Sequence, residues 1–154
     1  MGILIVAEQI FYKPLRDVQR LTSGFNALRD GKPHGGIDLV SSSGFLVRAI
    51  TDGIVVRDFD GYNPKYRWDC NLPHSCGNAV TIAHKINGVW YLIRYVHLMA
   101  NTVTAGNYIT AGEGVGTYSD AGYSLGAHIH MDARLASNGS VVNIETLFST
   151  LGIL

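Results

Sequence analysis

Alternation of apolar and polar side chains, the mark of half-buried strands, recurs along most of this chain. It is plainest in VWYLIRYVHL, residues 89–98, where Tyr91, Ile93, Tyr95 and His97 fall on one face and Trp90, Leu92, Arg94 and Val96 on the other. GNAVTIAH precedes it, and Asn87-Gly88 between the two predicts a tight hairpin. In GFLVRAITDGIVVRDFDGY two β-branched runs flank Thr51-Asp52-Gly53, so Asp-Gly predicts a second hairpin. LTSGFNALRDGKPHGGIDL reads as a short strand, a glycine-rich turn and a strand beginning near Gly36. Short strands are expected around 108–110 and 114–118, then a glycine loop and a strand over 127–134. NIETLFSTLGIL predicts a short helix from Asn143. Arg16 to Arg20 suggests a helical turn within an N-terminal arm, residues 1–20. The expectation is an all-β, antiparallel, single domain over 21–154.

Composition narrows the functional classes without choosing one. The chain has 154 residues, 18 glycines and 47% hydrophobic side chains, with 12 basic residues against 12 acidic. That neutral balance gives no general attraction for nucleic acid or an anionic membrane, and no apolar run reaches the roughly 18 residues of a membrane span. MGILIVAEQIFYKPL lacks the basic start and small-residue cleavage site of a signal peptide. Periodicity fails between Gly61 and Gly77, which predicts a long ordered loop. Its Cys70 and Cys76 would form a short disulfide in an oxidising setting or stay free thiols in a reducing one; a zinc knot with His74 lacks a fourth ligand.

The candidate chemistry lies in histidines and one aspartate. His128 and His130, two apart on a predicted strand, project from one surface while Ile129 packs behind. His34 and Asp38 are separated by a glycine pair that argues against helix; a curled turn entering a strand lets them converge. With one histidine of the His-x-His pair they supply two nitrogens and a carboxylate, a set suited to a catalytic Zn²⁺ whose fourth position is left to water or substrate. Taken singly, His34 is equally a turn residue, Asp38 a surface carboxylate and His97 a structural strand-end histidine. His84, on a face with Val80 and Ile82, reads as packed rather than ligating. Asp132 shares the face of His130 and is placed to orient a ligating imidazole.

Taken together, HGGIDL, VRAITDGIVV, GNAVTIAH, YVHL and SLGAHIHMD give a chain that resembles the lysostaphin-like (LytM-type) zinc endopeptidases of bacterial cell walls. The resemblance runs from about Leu21 to Asp132, with His-x-x-x-Asp, Tyr-x-His-Leu and His-x-His in the family's order. It implies that one Zn²⁺ is held by His34, Asp38 and His130, with His97 and His128 as catalytic partners of the metal-bound water. The implied substrate is a peptide crosslink of peptidoglycan, in a groove walled by long loops. Ala127 stands where the family commonly has proline, and Met131 where it commonly has an aromatic residue. The 58–77 loop is longer than usual; Tyr62, Tyr66 and Trp68 from it, and Tyr118, Ser119, Asp120 and Ser124 from the glycine loop, are candidate groove residues.

Two other readings compete: a non-catalytic module of the same fold that binds cell wall or a partner protein, and a zinc hydrolase of some other amide. The missing signal peptide predicts a domain of a larger parent chain or a bacteriophage lysin. In the second case the enzyme would reach the wall by lysis or on a virion, beside other tail proteins.

Overall fold

The computed structural model describes residues 2–3, 8–16, 18–59, 77–120 and 126–154, with Ala100 by its backbone alone. Among these, one ten-stranded sheet carries the fold, in the order β1 (Gln19–Ser23), β4 (Ile37–Ser41), β11 (Ile129–Leu135), β8 (Val89–Asn101), β7 (Asn78–Ile86), β6 (Gly53–Phe59), β9 (Tyr108–Ile109). Neighbours pair antiparallel throughout. β10 (Gly114–Tyr118) joins β8 to β5 (Leu46–Arg48), and β12 (Val141–Val142) edges β11. A separate ribbon, β2 (Leu28–Arg29) with β3 (Lys32–Pro33), sits just before the first candidate ligand.

Alternation sorts the sheet into two faces. Ile37, Leu39, Val55, Val80, Ile82, Ile93, Tyr95, Ile129 and Met131 belong to one buried cluster with Leu15, Val47, Ile50, Ile144 and Phe148. Each such aliphatic or aromatic side chain taken from water contributes about 1.5–3 kcal/mol. The cover on this face comes from the N-terminal arm and from the helix α1 (Ile144–Leu151). Asn143 caps that helix, its Oδ1 accepting from Thr146 N–H at 3.1 Å, and Gly152 ends it in left-handed backbone (φ 73°). The opposite face carries Asp38, Arg94, His128, His130 and Asp132.

Two expectations fail. Thr51-Asp52-Gly53 is not a hairpin: β5 pairs with β10 and β6 with β7, so the chain turns a corner between two parts of the sheet. The reason lies in packing. A Cβ on Gly53 would meet Ile82 Cγ2 at 2.6 Å and Ala83 O at 2.7 Å, so glycine is needed for close approach to β7 rather than for turn geometry. Thr51 Oγ1–H donates to Ile10 O and Asp52 Oδ1 accepts from Ala111 N–H, which ties the corner from both sides. Nor do the described residues of 16–20 form a helical turn, because Gln19 begins β1 and its side chain bonds Leu15 N–H and Ile153 O. Leu15 is fully buried and bridges Val47, so this part of the arm belongs to the core. The Asn87-Gly88 hairpin forms as expected, with φ of 49° and 83° at its two turn residues.

Candidate metal centre

The centre is built where β4, β11 and β8 lie side by side. Asp38 on β4 is the direct cross-strand partner of His130 on β11, which in turn faces Val96 on β8. Opposed residues project to one side, so Asp38 and His130 meet: His130 Nδ1 stands 2.9 Å from Asp38 Oδ1. His34 arrives from the turn before β4. Gly35 takes left-handed backbone (φ 74°), and Gly36 has no room for a Cβ, which would lie 2.5 Å from His130 Cε1. Backbone bonds from His34 N–H to Ala27 O (2.8 Å) and Gly35 N–H to Phe25 O (3.0 Å) fix the turn. Glu145 of α1 holds Phe25 N–H at 2.7 Å, so the C-terminal helix braces this loop.

Three atoms converge. His34 Nε2 is 3.1 Å from His130 Nδ1 and 3.3 Å from Asp38 Oδ1. A tetrahedral ion with bonds near 2.0 Å has ligands about 3.3 Å apart, so this triangle fits one face of such a polyhedron. The protonation pattern agrees. His34 Nδ1 faces Gly24 O (3.1 Å) and Ser23 Oγ (3.2 Å), and His130 Nε2 faces Asp132 Oδ2 (3.1 Å). Protons assigned by these partners sit on the outer nitrogens, so both lone pairs and a carboxylate oxygen point inward together. Three electron-pair donors pressed together call for a cation. His34, Asp38 and His130 are the metal-competent cluster among the described residues.

Charge around the cluster favours the same outcome. Burial works against the Asp38 carboxylate, yet hydrogen bonds to His130 and His34 and the nearby His130 and His128 hold its pKa well below the usual range. Burial likewise opposes charge on Asp132, and its bonds to His130 and Arg94 again win. Burial depresses His130, but Asp132 and Asp38 on either side more than offset it and raise its pKa. Arg29, from the small ribbon, bonds Asp38 Oδ2 and leaves only Oδ1 for an ion. Arg94 grips Asp132 with both Nε (2.8 Å) and Nη2. Neither arginine carries a local sequence signal: Arg94 meets Asp132 through strand register, and Arg29 reaches Asp38 from a ribbon outside the main sheet.

His97 is brought in by a break in the pattern. Alternation along β8 predicts that it shares the face of Tyr95, which is core. Instead β7 pairs Asn78 with Leu98 and Ala79 with Val96, so His97 is the extra residue of a bulge, in left-handed backbone (φ 69°). That turns its ring to the site face, with ring centroids 4.8 Å from His128 and 6.1 Å from His130. Such backbone at a non-glycine residue costs about 1–2 kcal/mol. Ser119 helps hold it: its N–H and Oγ–H both donate to His97 O, at 2.8 and 3.0 Å. Ser119 also bridges His128, whose Nδ1 bonds Gly126 O at 2.8 Å and whose Nε2 lies 3.6 Å from Asp38 Oδ1.

The groove expectation needs correction. Tyr118 is 3% exposed and its hydroxyl bonds Ser41, so it is core; Ser119, 6% exposed, pins two histidines rather than lining a groove. Tyr62, Tyr66, Trp68, Cys70, His74, Cys76 and Ser124 lie outside the described residues. His84 is packed as expected: it is fully buried, with Nδ1 on Asp52 O and Nε2 on Tyr95 Oη, both 3.0 Å.

Comparison with known proteins adds four findings. Residues 32–144 match Peptidase family M23. The DD-carboxypeptidase/endopeptidase Mpg of Neisseria meningitidis is 39% identical over 110 residues, 71% of this chain and 21% of that protein. Among solved structures, a zinc containing peptidase from Vibrio cholerae superposes with a TM-score of 0.67 at 27% identity, covering 88% of this chain and 39% of the other. The lysostaphin catalytic domain from Staphylococcus simulans superposes at 0.65 with 24% identity, covering 84% and 92%. The chain thus spans about a fifth of the length of the Neisseria relative.

Proposed function

The chain belongs to Peptidase family M23, and from that premise we propose that it is a zinc-dependent endopeptidase hydrolysing peptide crosslinks of bacterial peptidoglycan. The observation that carries this reading is the inward triangle of His34 Nε2, Asp38 Oδ1 and His130 Nδ1, beside two further imidazoles. The relative from Neisseria is named for DD-carboxypeptidase and endopeptidase activity, which supports a wall peptide as substrate. A non-catalytic binding module has no use for a complete ligand triangle with both outer nitrogens occupied.

His34, Asp38 and His130 would hold the ion. Zn²⁺ bound there lowers the pKa of a coordinated water to about 7 and polarises a carbonyl. Asp132 keeps the His130 proton on Nε2, and Ser23 with Gly24 keeps that of His34 on Nδ1, so the ligating nitrogens stay unprotonated. His128 donates through Nδ1 to Gly126 O, leaving Nε2 as an acceptor beside Asp38, suited to take a proton from the attacking water. His97, buried and edge-on to His128, is suited to hydrogen-bond the developing oxyanion or protonate the leaving amine.

Digestion of purified peptidoglycans of different crosslink types, with mass spectrometry of the fragments, tests the proposal. Released fragments carrying a new amine and carboxyl at the crosslink are expected. A His130→Ala variant should release none, and release equal to wild type would refute the zinc mechanism.

A further inference from the structure

The sheet face that carries the metal centre does not end there. Along β8, Trp90, Leu92, Arg94 and Val96 share this face, and no register shift in the pairing with β11 interrupts Tyr91 to Val96. Cross-strand pairing carries the face sideways: Lys85 opposes Trp90, Ala83 opposes Leu92, Ile54 opposes Ala83 and Tyr108 opposes Ile54. At that far corner lies a cleft of about 420 Å³, with Trp90, Tyr108, Lys85, Asp52 and Gln9 in its walls. Two large aromatic side chains stand open there, Trp90 41% exposed and Tyr108 79%.

The cleft is preformed. Gln9 Nε2–H donates to Lys85 O (2.6 Å) and Thr51 Oγ1 (3.2 Å), while its Oε1 accepts from Asn87 N–H (3.3 Å). One side chain thereby ties the N-terminal arm to the tip of the β7–β8 hairpin. Asp52 is fixed through Oδ1 to Ala111 N–H and through its carbonyl to the buried His84. Among the described residues, the Lys85 ammonium and the second oxygen of Asp52 make no hydrogen bond.

We propose that this corner, walled by Trp90 and Tyr108 with Lys85 and Asp52 beside them, is a saccharide-binding subsite that takes an amino sugar of the glycan strand whose peptide is cut at the metal centre. Pyranose rings present weakly positive C–H faces, which suit the negative face of an indole or phenol ring. Their hydroxyls and acetamido groups need one acceptor and one donor at the rim, which Asp52 and Lys85 offer. The spacing also fits. Trp90 and Val96 are six positions apart on β8, which is about 20 Å along the strand. An extended peptide of about six residues covers that span. A sugar held at Trp90 would therefore let its stem peptide run along the sheet to His130.

This inference rests on the wall-peptide reading of the metal centre, and its test keeps the two apart. The probe is chitotetraose, titrated into the full, zinc-loaded chain while the Trp90 indole N–H is followed by NMR; a Trp90→Phe variant assigns the resonance. A saturable shift is expected, weakened about tenfold in Tyr108→Ala and in Trp90→Ala read through neighbouring amides. Cleavage of a sugar-free crosslinked peptide should match wild type in both variants, while the half-saturating amount of intact sacculi rises severalfold. No saturable shift, or binding unchanged in both variants, overturns the subsite. Failure of wild type to cut the sugar-free peptide speaks against the wall-peptide reading instead, whatever chitotetraose does.

Discussion

Replacing Asp132 by Asn isolates how much the metal centre depends on a residue that would not touch the ion. Asp132 Oδ2 lies 3.1 Å from His130 Nε2, and both its oxygens are held by Arg94. The asparagine keeps the shape and can accept one bond, but it loses the charge and turns an N–H₂ group toward a guanidinium. A charge-assisted hydrogen bond of this kind contributes about 1.5–3 kcal/mol, and losing about 1.4–2 kcal/mol of it is about 10- to 30-fold in affinity. Zinc affinity should therefore fall about 10- to 30-fold, within the range of about 10–100-fold for partners of a ligating histidine. Arg94→Gln should cost less, about fivefold at most, because its guanidinium is 50% exposed and solvent screens it. Competition with a chromophoric chelator near pH 7.5 measures both. An Asp132→Asn protein that folds normally and binds zinc within twofold of wild type would refute the reasoning.

Other outcomes follow from the same geometry. His97→Ala should lose about 100-fold or more in turnover while keeping its zinc, since the ring lies beside the cluster but outside the triangle; metal analysis beside a rate measurement checks both halves. Gly36→Ala would put a Cβ 2.6 Å from Met131 O, a backbone atom that cannot swing away, so denaturant unfolding should show a loss of about 1–3 kcal/mol together with weaker zinc binding. His84 is buried neutral, its pKa pushed down to about 4 from 6.5. Between those values the unfolded chain takes up a proton that the folded one refuses, so stability rises with pH across this window. The penalty reaches about 3 kcal/mol at its acid end, and His84→Gln should flatten that part of the pH–stability curve relative to wild type.

What the sequence disclosed and what it hid divide along the line between pattern and register. Period-two alternation located β7, β8 and β11, and Asn87-Gly88 named its own turn, because these signals lie within a few residues. The shared face of His128 and His130 followed from strand geometry alone, and the structure puts both rings against Asp38. The division of their roles came from family resemblance. His97 shows the limit: strict alternation puts it in the core, and only the bulge between Val96 and Leu98 turns it toward the site. Arg29 and Arg94 are hidden for a related reason: Arg94 meets Asp132 across the β8–β11 pairing and Arg29 reaches Asp38 from a separate ribbon, contacts that no local signal encodes. Asp-Gly at 52–53 misled because the glycine answers a packing demand from Ile82 and Ala83. Tyr118 misled because a glycine-rich neighbourhood reads as surface, whereas its ring packs edge-on to Phe45 beneath the strand.

On the proposed reading, one zinc held by His34, Asp38 and His130 would make this chain a hydrolase. Stripping the protein with a chelator and restoring zinc in steps, with bound metal and release from purified peptidoglycan measured on the same samples, addresses it directly. Release should rise in proportion to bound zinc and level off at about one ion per chain. Full release by the stripped protein, or activity that ignores zinc occupancy, would contradict it.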